Sequence, residues 1–388
     1  MSANFKNYSV LQVLPHLDSG GLVSGAIEIS KALTEKKLGS YIASSGGSRS
    51  HEVVRNGAKI FNIPVNSKNP FKMYRNISRI KRLIIENNIN IIHARSRAPA
   101  WSTKFASNIM NIPFVTTFHG TYGISTNLKK KYNSIMTNAD KVIAISDFIA
   151  QHITKEYGTD SNKIRVIPRG VDLSVFNPLK VREAKLYEIA NKYNLNSDMN
   201  NILLPARMTR WKGHELFIDA ISMIRKENIT CMFVGDFQNK SSYVKELEQK
   251  IKNLGLTNKF RFLGHQSDMA AVYKLADVVV SASTKPEAFG RVVAESLAMG
   301  RLTIAVNHGG GPEIIKNQET GWLFKAGNAR DLSKKLLLAL SQTKEDRIKI
   351  SDKSISLIKN KYDIKFMCDK TLELYDELIA EKKQKKNP

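Results

Sequence analysis

Short apolar, β-branched runs alternate with longer stretches of helical periodicity along nearly the whole chain, and this rhythm leaves few folds open. The runs at 9–14, 41–45, 89–94, 114–118, 142–146 and 165–168 read as strands. Several are almost wholly apolar, as strands covered by helices on both faces must be. Between them, helices are expected over 22–36, 70–86, 98–110, 129–137 and 147–157. Strand–helix alternation of this kind builds a doubly wound parallel sheet.

The rhythm pauses over 170–193, where Pro178 and a polar, mostly helical segment read as an interdomain connection. It resumes with strands expected at 201–205, 230–235, 261–264, 278–281 and 303–306. The helices between them show 3.6-residue spacing, as in Leu216/Ala220/Ile224 and Val244/Leu247/Ile251/Leu254. Two successive Rossmann-like halves follow, without a short-period repeat. The fold class is α/β, with an N-terminal domain over 1–175 and a C-terminal domain over 176–362. The segment 363–388 is expected to be an amphipathic helix (Met367, Leu372, Leu374, Leu378) that crosses back to the first domain. It ends in a solvated tail, Lys382-Lys383-Gln384-Lys385-Lys386.

Composition supports this division. A chain of 388 residues suits two ordinary domains, and 42% hydrophobic residues supply two cores. Cys231 and Cys368 have no Cys or His partner at metal-ligand spacing, and Cys231 lies in an apolar run where a buried structural thiol is expected. No stretch reaches the roughly 18 apolar residues of a membrane-spanning helix. Residues 1–6 lack a charged start followed by an apolar core, so a cytoplasmic location is expected. Lys and Arg number 60 against 35 Asp and Glu, a net charge of +25. Such charge attracts nucleic acid, anionic lipid or phosphorylated small molecules; compositional drift towards Lys, in a chain rich in Asn and Ile, would produce it as well. The cations read as dispersed and no nucleic-acid-binding motif accompanies them, so no nucleic-acid partner is expected.

In an open α/β sheet, ligands bind beyond the C-terminal strand ends, beside helix N-termini. After the strand at 201–205 come Arg207 and Lys212, flanking the loop that opens the next helix. A planar guanidinium fork and a compact ammonium together suit a diphosphate, although two solvated cations would look the same. After the strand at 278–281 comes Pro286-Glu287-Ala288-Phe289-Gly290, with Glu295 two turns into a helix starting near Phe289. Carboxylates eight residues apart on a helix are separated by about 12 Å, too far for a shared proton or a glycosidase pair. One carboxylate near a sugar and another on ribose hydroxyls fits that spacing. Gly290 would let backbone amides approach a ligand closely.

These residues resemble glycosyltransferase family 4, retaining enzymes of the GT-B fold. The resemblance is carried by Arg207…Lys212-Gly213, by Glu287-Ala288-Phe289-Gly290…Glu295 (the family's Glu-x7-Glu signature), by Val166-Ile167-Pro168-Arg169-Gly170-Val171-Asp172 and by Gly310-Gly311-Pro312-Glu313. It implies two Rossmann-like domains facing each other across a cleft. It further implies that Arg207 and Lys212 hold the donor diphosphate, that Glu295 binds the ribose, and that Glu287 with the Phe289 and Gly290 backbone contacts the transferred hexose. Gly20 and Gly21 would let the N-terminal domain close on the donor, and His119 would lie beside the donor sugar. A lone strand-end His is often only a satisfied polar residue. The sequence departs from the family at Ala206, where Gly is common, at Arg169, where Asn is common, and at Leu22-Val23-Ser24, which bears on the acceptor side.

The implied reaction moves a hexosyl group from a nucleotide-sugar to a glycan or glycolipid with retention, the donor phosphate taking the acceptor's proton. The Asp-x-Asp triplet of metal-dependent GT-A transferases does not occur, so no metal or other cofactor is expected. A nucleotide-sugar binder without turnover, or a sugar-nucleotide epimerase or a phosphorylase of the same architecture, is the alternative. On the acceptor half, Lys72, Arg75, Arg79 and Arg82 recur at helical spacing among Phe71, Tyr74, Ile77 and Ile80, with Lys129-Lys130-Lys131 a further basic cluster. A basic amphipathic helix of this kind can rest on an anionic membrane, or be an ordinary surface helix. Peripheral attachment to the inner membrane face, serving a lipid-linked glycan such as lipopolysaccharide core, is the expectation. Arg95, Ser96 and Arg97 resemble a stretch of lipopolysaccharide core transferases and suit an acceptor phosphate or sugar, with helix capping by Ser96 as the plainer account.

Overall fold

A computed structural model describes residues 7–18, 20–196, 198–236 and 242–386. The expectation drawn from residues 1–6 lies outside them, as do the side chains of Lys385 and Lys386. The chain forms two compact units, 1–169 with 364–388 and 170–363.

The first unit is built on β1 (Ser9–Val13), β2 (Gly39–Ser44), β3 (Lys59–Asn62), β4 (Ile91–Ala94), β5 (Phe114–Phe118), β6 (Lys141–Ala144) and β7 (Ile164–Val166). They make one parallel sheet in the order β3-β2-β1-β4-β5-β6-β7. In the register of the central strands Leu11 lies between Tyr41 and Ile92. The second unit holds β8 (Asn200–Pro205), β9 (Ile229–Val234), β10 (Phe260–Gly264), β11 (Val278–Ser281), β12 (Leu302–Val306) and β13 (Trp322–Phe324). Its parallel order is β10-β9-β8-β11-β12-β13, with Ile202 between Cys231 and Val278. Both are Rossmann-like: the strand order reverses between β1 and β4 in one sheet and between β8 and β11 in the other. The crevice at such a switch point is where these folds bind ligands.

The helices start and stop where their sequences provide caps. Asn69 accepts hydrogen bonds from the Phe71 and Lys72 amides while Pro70 fills the first turn, opening Pro70–Glu86. Ser146 caps Asp147–Tyr157 through the Ile149 amide, and Gly158 ends that helix at φ 63°. Helix Ile364–Lys386 packs onto the first unit. Met367, Cys368, Leu372, Leu374, Tyr375 and Leu378 join Val10, Ile91, Val115 and Ile143 in one core. Tyr375 Oη shares a 2.6 Å hydrogen bond with His93 Nδ1, and His93 Nε2 lies 2.7 Å from Thr117 Oγ1. At the rim, Arg165 pairs with Glu377 at 2.7 Å. Cys231 and Cys368 are both free and buried, and burial raises both thiols, Cys368 to about 12.

Several sequence expectations need correction. β3 and β13 escape the strand reading because each is only three or four residues long and sits at a sheet edge; β3 has no buried residue. The stretch 129–137 is not one helix but an α-helix, Asn127–Asn133, followed by a 3₁₀ turn, Ser134–Thr137. Helix Glu183–Tyr193 belongs to the second unit rather than to a linker. Ile189 enters its core, and Tyr193 Oη donates to the Leu263 carbonyl at 2.7 Å. The units meet in sequence at Arg169/Gly170, six residues before the boundary read at 175. The basic segment at 382–386 continues the final helix instead of fraying from it.

Leu374 has no solvent exposure. Leu374→Ala is expected to cost about 2–5 kcal/mol, seen as a lower denaturant midpoint; an unchanged midpoint would show that the terminal helix adds nothing to the first unit.

Candidate active site

In the second unit the two central strands, β8 and β11, deliver their following loops to the switch point. Lys212 comes from the first loop and Glu287 from the second, and Lys212 Nζ donates to Glu287 Oε1 at 2.7 Å. Both side chains are largely buried, 12% and 20% exposed. The ammonium also sits over the Trp211 ring, 4.3 Å from its centre, and Ser283 Oγ donates to the same carboxylate oxygen. The backbone makes this approach possible. Gly213 adopts φ 78°, and a Cβ there would collide with the Ala282 carbonyl. The Thr284 amide donates to the Trp211 carbonyl at 2.7 Å, tying the loops together.

The loop carrying Glu287 is braced from behind by the glycines after β12. The Gly310 amide donates to the Glu287 carbonyl at 2.8 Å, and a Cβ on Gly310 would lie 2.6 Å from the Ala288 oxygen. Gly290, at φ 101°, starts helix Arg291–Ala298, two residues later than the sequence suggests. Glu295 is 8% exposed; its Oε1 accepts from Arg291 Nη2 at 2.7 Å and its Oε2 from Tyr273 Oη at 3.0 Å. A carboxylate oxygen with one donor keeps a lone pair for a ligand hydroxyl. Phe289 is buried, its ring 6.0 Å from that of Tyr362. Arg207 is exposed, and among the described residues its side chain has no ion-pair partner and no hydrogen bond to Lys212.

In the first unit, Gly20 stands beyond β1 at φ 107° and its carbonyl accepts from the Val23 and Ser24 amides, opening helix Gly21–Glu35. Open space surrounds the positions where Gly20 and Gly21 would carry a Cβ. His119 follows β5. Arg169 Nη2 donates to its Nδ1 at 2.6 Å, which leaves the proton on Nε2, a buried atom without a partner among the described residues. Burial and then the Arg169 charge hold this imidazole well below its usual range, so it is neutral. Arg169 reaches it across Gly25, where a Cβ would collide with the guanidinium.

The acceptor-side candidates separate. Arg95 is buried and its Nε donates to Gln12 Oε1 at 2.8 Å, a polar tie between the end of β4 and β1, while its Nη2 has no hydrogen-bond partner among the described residues. Ser96 occupies the N-cap position of helix Arg97–Met110, but its side chain makes no capping hydrogen bond. Arg97 lies over the Tyr122 ring and donates to Asn133 at 3.0 Å. Lys72, Arg75, Arg79 and Arg82 are all exposed on one helix. Sequence reasoning missed Ser283, Trp211, Gly25 and His308. The buried ring nitrogens of His308 have no hydrogen-bond partner among the described residues, and its imidazole lies near the Ser283 backbone and Glu287. The glycines at 309–311 were the available signal for close backbone contact there.

Fold and site together define a GT-B glycosyltransferase. The family described as Glycosyltransferase Family 4 matches residues 19–175, and that of Glycosyl transferases group 1 matches residues 187–356. The solved glycosyltransferase of Rickettsia africae is 38% identical, with a TM-score of 0.91 over 96% of this chain and 99% of that one. The Anabaena protein HepE in complex with UDP-glucose is 21% identical, with a TM-score of 0.81 over 95% and 99%. Campylobacter jejuni N,N'-diacetylbacillosaminyl-diphospho-undecaprenol alpha-1,3-N-acetylgalactosaminyltransferase is 27% identical over 81% of this chain and 84% of its own length. Other curated relatives are matched over less of their own length, 65% for the Bacillus subtilis spore coat protein SA and 43% for the Agrobacterium fabrum mannosylfructose-phosphate synthase. This chain belongs to the glycosyltransferase family that these patterns describe, and it is an enzyme of that class.

His214, which follows Gly213 in the site loop, is buried and pushed down to about 4, first by burial and then by Lys212. A histidine that is neutral in the fold and protonates near pH 6.5 when unfolded contributes stability above that pH and loses it as the pH falls towards 4. Burial lowers His93 and His119 in the same direction. The unfolding free energy is therefore expected to fall on acidification below about pH 6.5, with His214 contributing on the order of 3 kcal/mol. His214→Gln should flatten that decline; a slope equal to the wild type would contradict the assignment.

Proposed function

We propose that this enzyme transfers a hexosyl group, with retention and without a metal, from a nucleotide-sugar to a lipid-linked glycan of the cell surface, such as lipopolysaccharide, at the cytoplasmic face of the membrane. The Lys212–Glu287 pair at the switch point of the second sheet carries the reading. In the transfer the sugar C1–O bond to the β-phosphate breaks and negative charge builds on the departing diphosphate. Lys212 keeps two N–H donors beyond the one given to Glu287, and with Arg207 it would neutralise that charge. Glu287, beside it, would accept a hydroxyl of the hexose, and Glu295 would accept from the ribose. The acceptor oxygen enters on the face the phosphate leaves, and its proton passes to the leaving phosphate oxygen. No side chain then has to be a strong base. In the first unit, His119 is neutral with its proton on Nε2, which makes it a hydrogen-bond donor there.

Two comparisons support the choice of substrates. HepE was solved with UDP-glucose, which favours a nucleotide-sugar donor, and the Campylobacter relative is named for a lipid diphosphate acceptor. Thermal shift with UDP-, GDP- and ADP-sugars identifies the donor, since saturation at 100 times the dissociation constant stabilises by about 2.7 kcal/mol. With that donor, Lys212→Ala is expected to lower kcat by about 10²–10³-fold. EDTA should leave the wild-type rate unchanged, and the product anomer, read by NMR, should match the donor's. Near-normal turnover in Lys212→Ala would overturn the assignment of the leaving-group cation.

A further inference from the structure

The first unit contains a cavity that this chemistry leaves unused. Helices Pro70–Glu86 and Arg97–Met110 enclose an open groove of about 660 Å³ walled by Met73, Tyr74, Ile77, Trp101, Phe105 and Ile109. The wall is held in place: Trp101 stacks on Phe105 and on Tyr132, its Nε1 donates to the Tyr132 carbonyl at 3.2 Å, and Ser102 Oγ donates to the Met73 carbonyl at 2.9 Å. Large apolar side chains on the same helices face solvent, with Phe71 82%, Tyr74 74% and Ile109 58% exposed. Helix Asn127–Asn133, which supplies Tyr132, leaves Leu128 exposed as well.

The positive charge gathers in the same part of the chain, which corrects the reading of it as dispersed. Residues 53–139 contain fourteen Lys and Arg and a single acidic residue, Glu86, so this stretch holds more than half of the net +25. Lys68 and Lys81 line the groove itself. Lys72, Arg75, Arg79 and Arg82 are exposed on helix Pro70–Glu86, and Lys129, Lys130 and Lys131 are exposed on helix Asn127–Asn133.

We propose that the groove takes one aliphatic chain of an anionic lipid held in a bilayer, with the headgroup phosphate on Lys68 and Lys81. Apolar walls remove a hydrocarbon chain from water, and the cations beside them match the negative surface of such a membrane. A polynucleotide would use the cations but not the groove, and a neutral lipid would use the groove but not the cations. The proposal deepens the acceptor side of the function above and rests on it only for the choice of a lipid. Its test requires no turnover, so the two readings fail separately.

The full-length chain is mixed with vesicles of phosphatidylglycerol whose acyl chains carry bromine, a short-range quencher of tryptophan, and with unbrominated phosphatidylglycerol and phosphatidylcholine as controls. Brominated anionic vesicles should quench the emission of the wild type and leave Trp101→Phe much less affected, while phosphatidylcholine should bind weakly. Ile109→Asp, at an exposed position, should retain its unfolding midpoint and lose the quenching. Lys68→Gln with Lys81→Gln should weaken vesicle binding by about thirtyfold. Binding without bromine quenching, or equal quenching in Ile109→Asp, would overturn the proposal. So would an oligonucleotide that binds where vesicles do not, or a dimer that Ile109→Asp converts to a monomer.

Discussion

The second unit is organised around an ammonium and a carboxylate brought together in a largely buried place. Lys212 and Glu287 come from loops 75 residues apart in sequence, and they meet because β8 and β11 are adjacent at the point where the strand order reverses. Removing one partner of such a pair strands the other. Two N–H donors of Lys212 stay available to a ligand, while Ser283 on the carboxylate and the Trp211 ring under the ammonium support the pair. The glycines close to it are there for the same reason. Gly213 and Gly310 each stand where a Cβ would collide with backbone of the opposing loop.

The first unit has a comparable centre of opposite design, in which a cation holds a neutral ring. Arg169 fixes the His119 tautomer and, by its charge, helps to keep the ring from protonating. The mid-helix glycine at Gly25, normally a cost of about 1 kcal/mol relative to alanine, makes room for that guanidinium. Arg169 is a departure from the usual family residue, and Gly25 shows how this chain accommodates it.

The alternation of apolar strands with amphipathic helices was legible because most strands are covered on both faces and therefore nearly free of polar residues. β3 and β13 were not, since an edge strand of three or four residues leaves no periodic pattern. Helix Glu183–Tyr193 looked like a linker because it buries a narrow face, with Ile189 its one buried residue. Within the site, residue types at strand ends pointed to Lys212, Glu287 and Glu295, but side-chain direction was hidden. Arg95 is the clearest example. Only Gln12, a polar residue inside an apolar strand, signalled that a buried partner was waiting for it. Ser283 and His308 are single polar residues whose importance arises from where the Glu287 loop folds.

Lys212, with Arg207, is proposed to neutralise the diphosphate of the donor at the β8–β11 switch point. A crystal structure of the chain with a bound nucleoside diphosphate tests it most directly. The β-phosphate is expected within hydrogen-bond distance of Lys212 Nζ, with the Arg207 guanidinium turned in towards it. A nucleotide seated elsewhere in the second unit, or one that leaves Lys212 bonded to Glu287 and Arg207 still facing solvent, would contradict it.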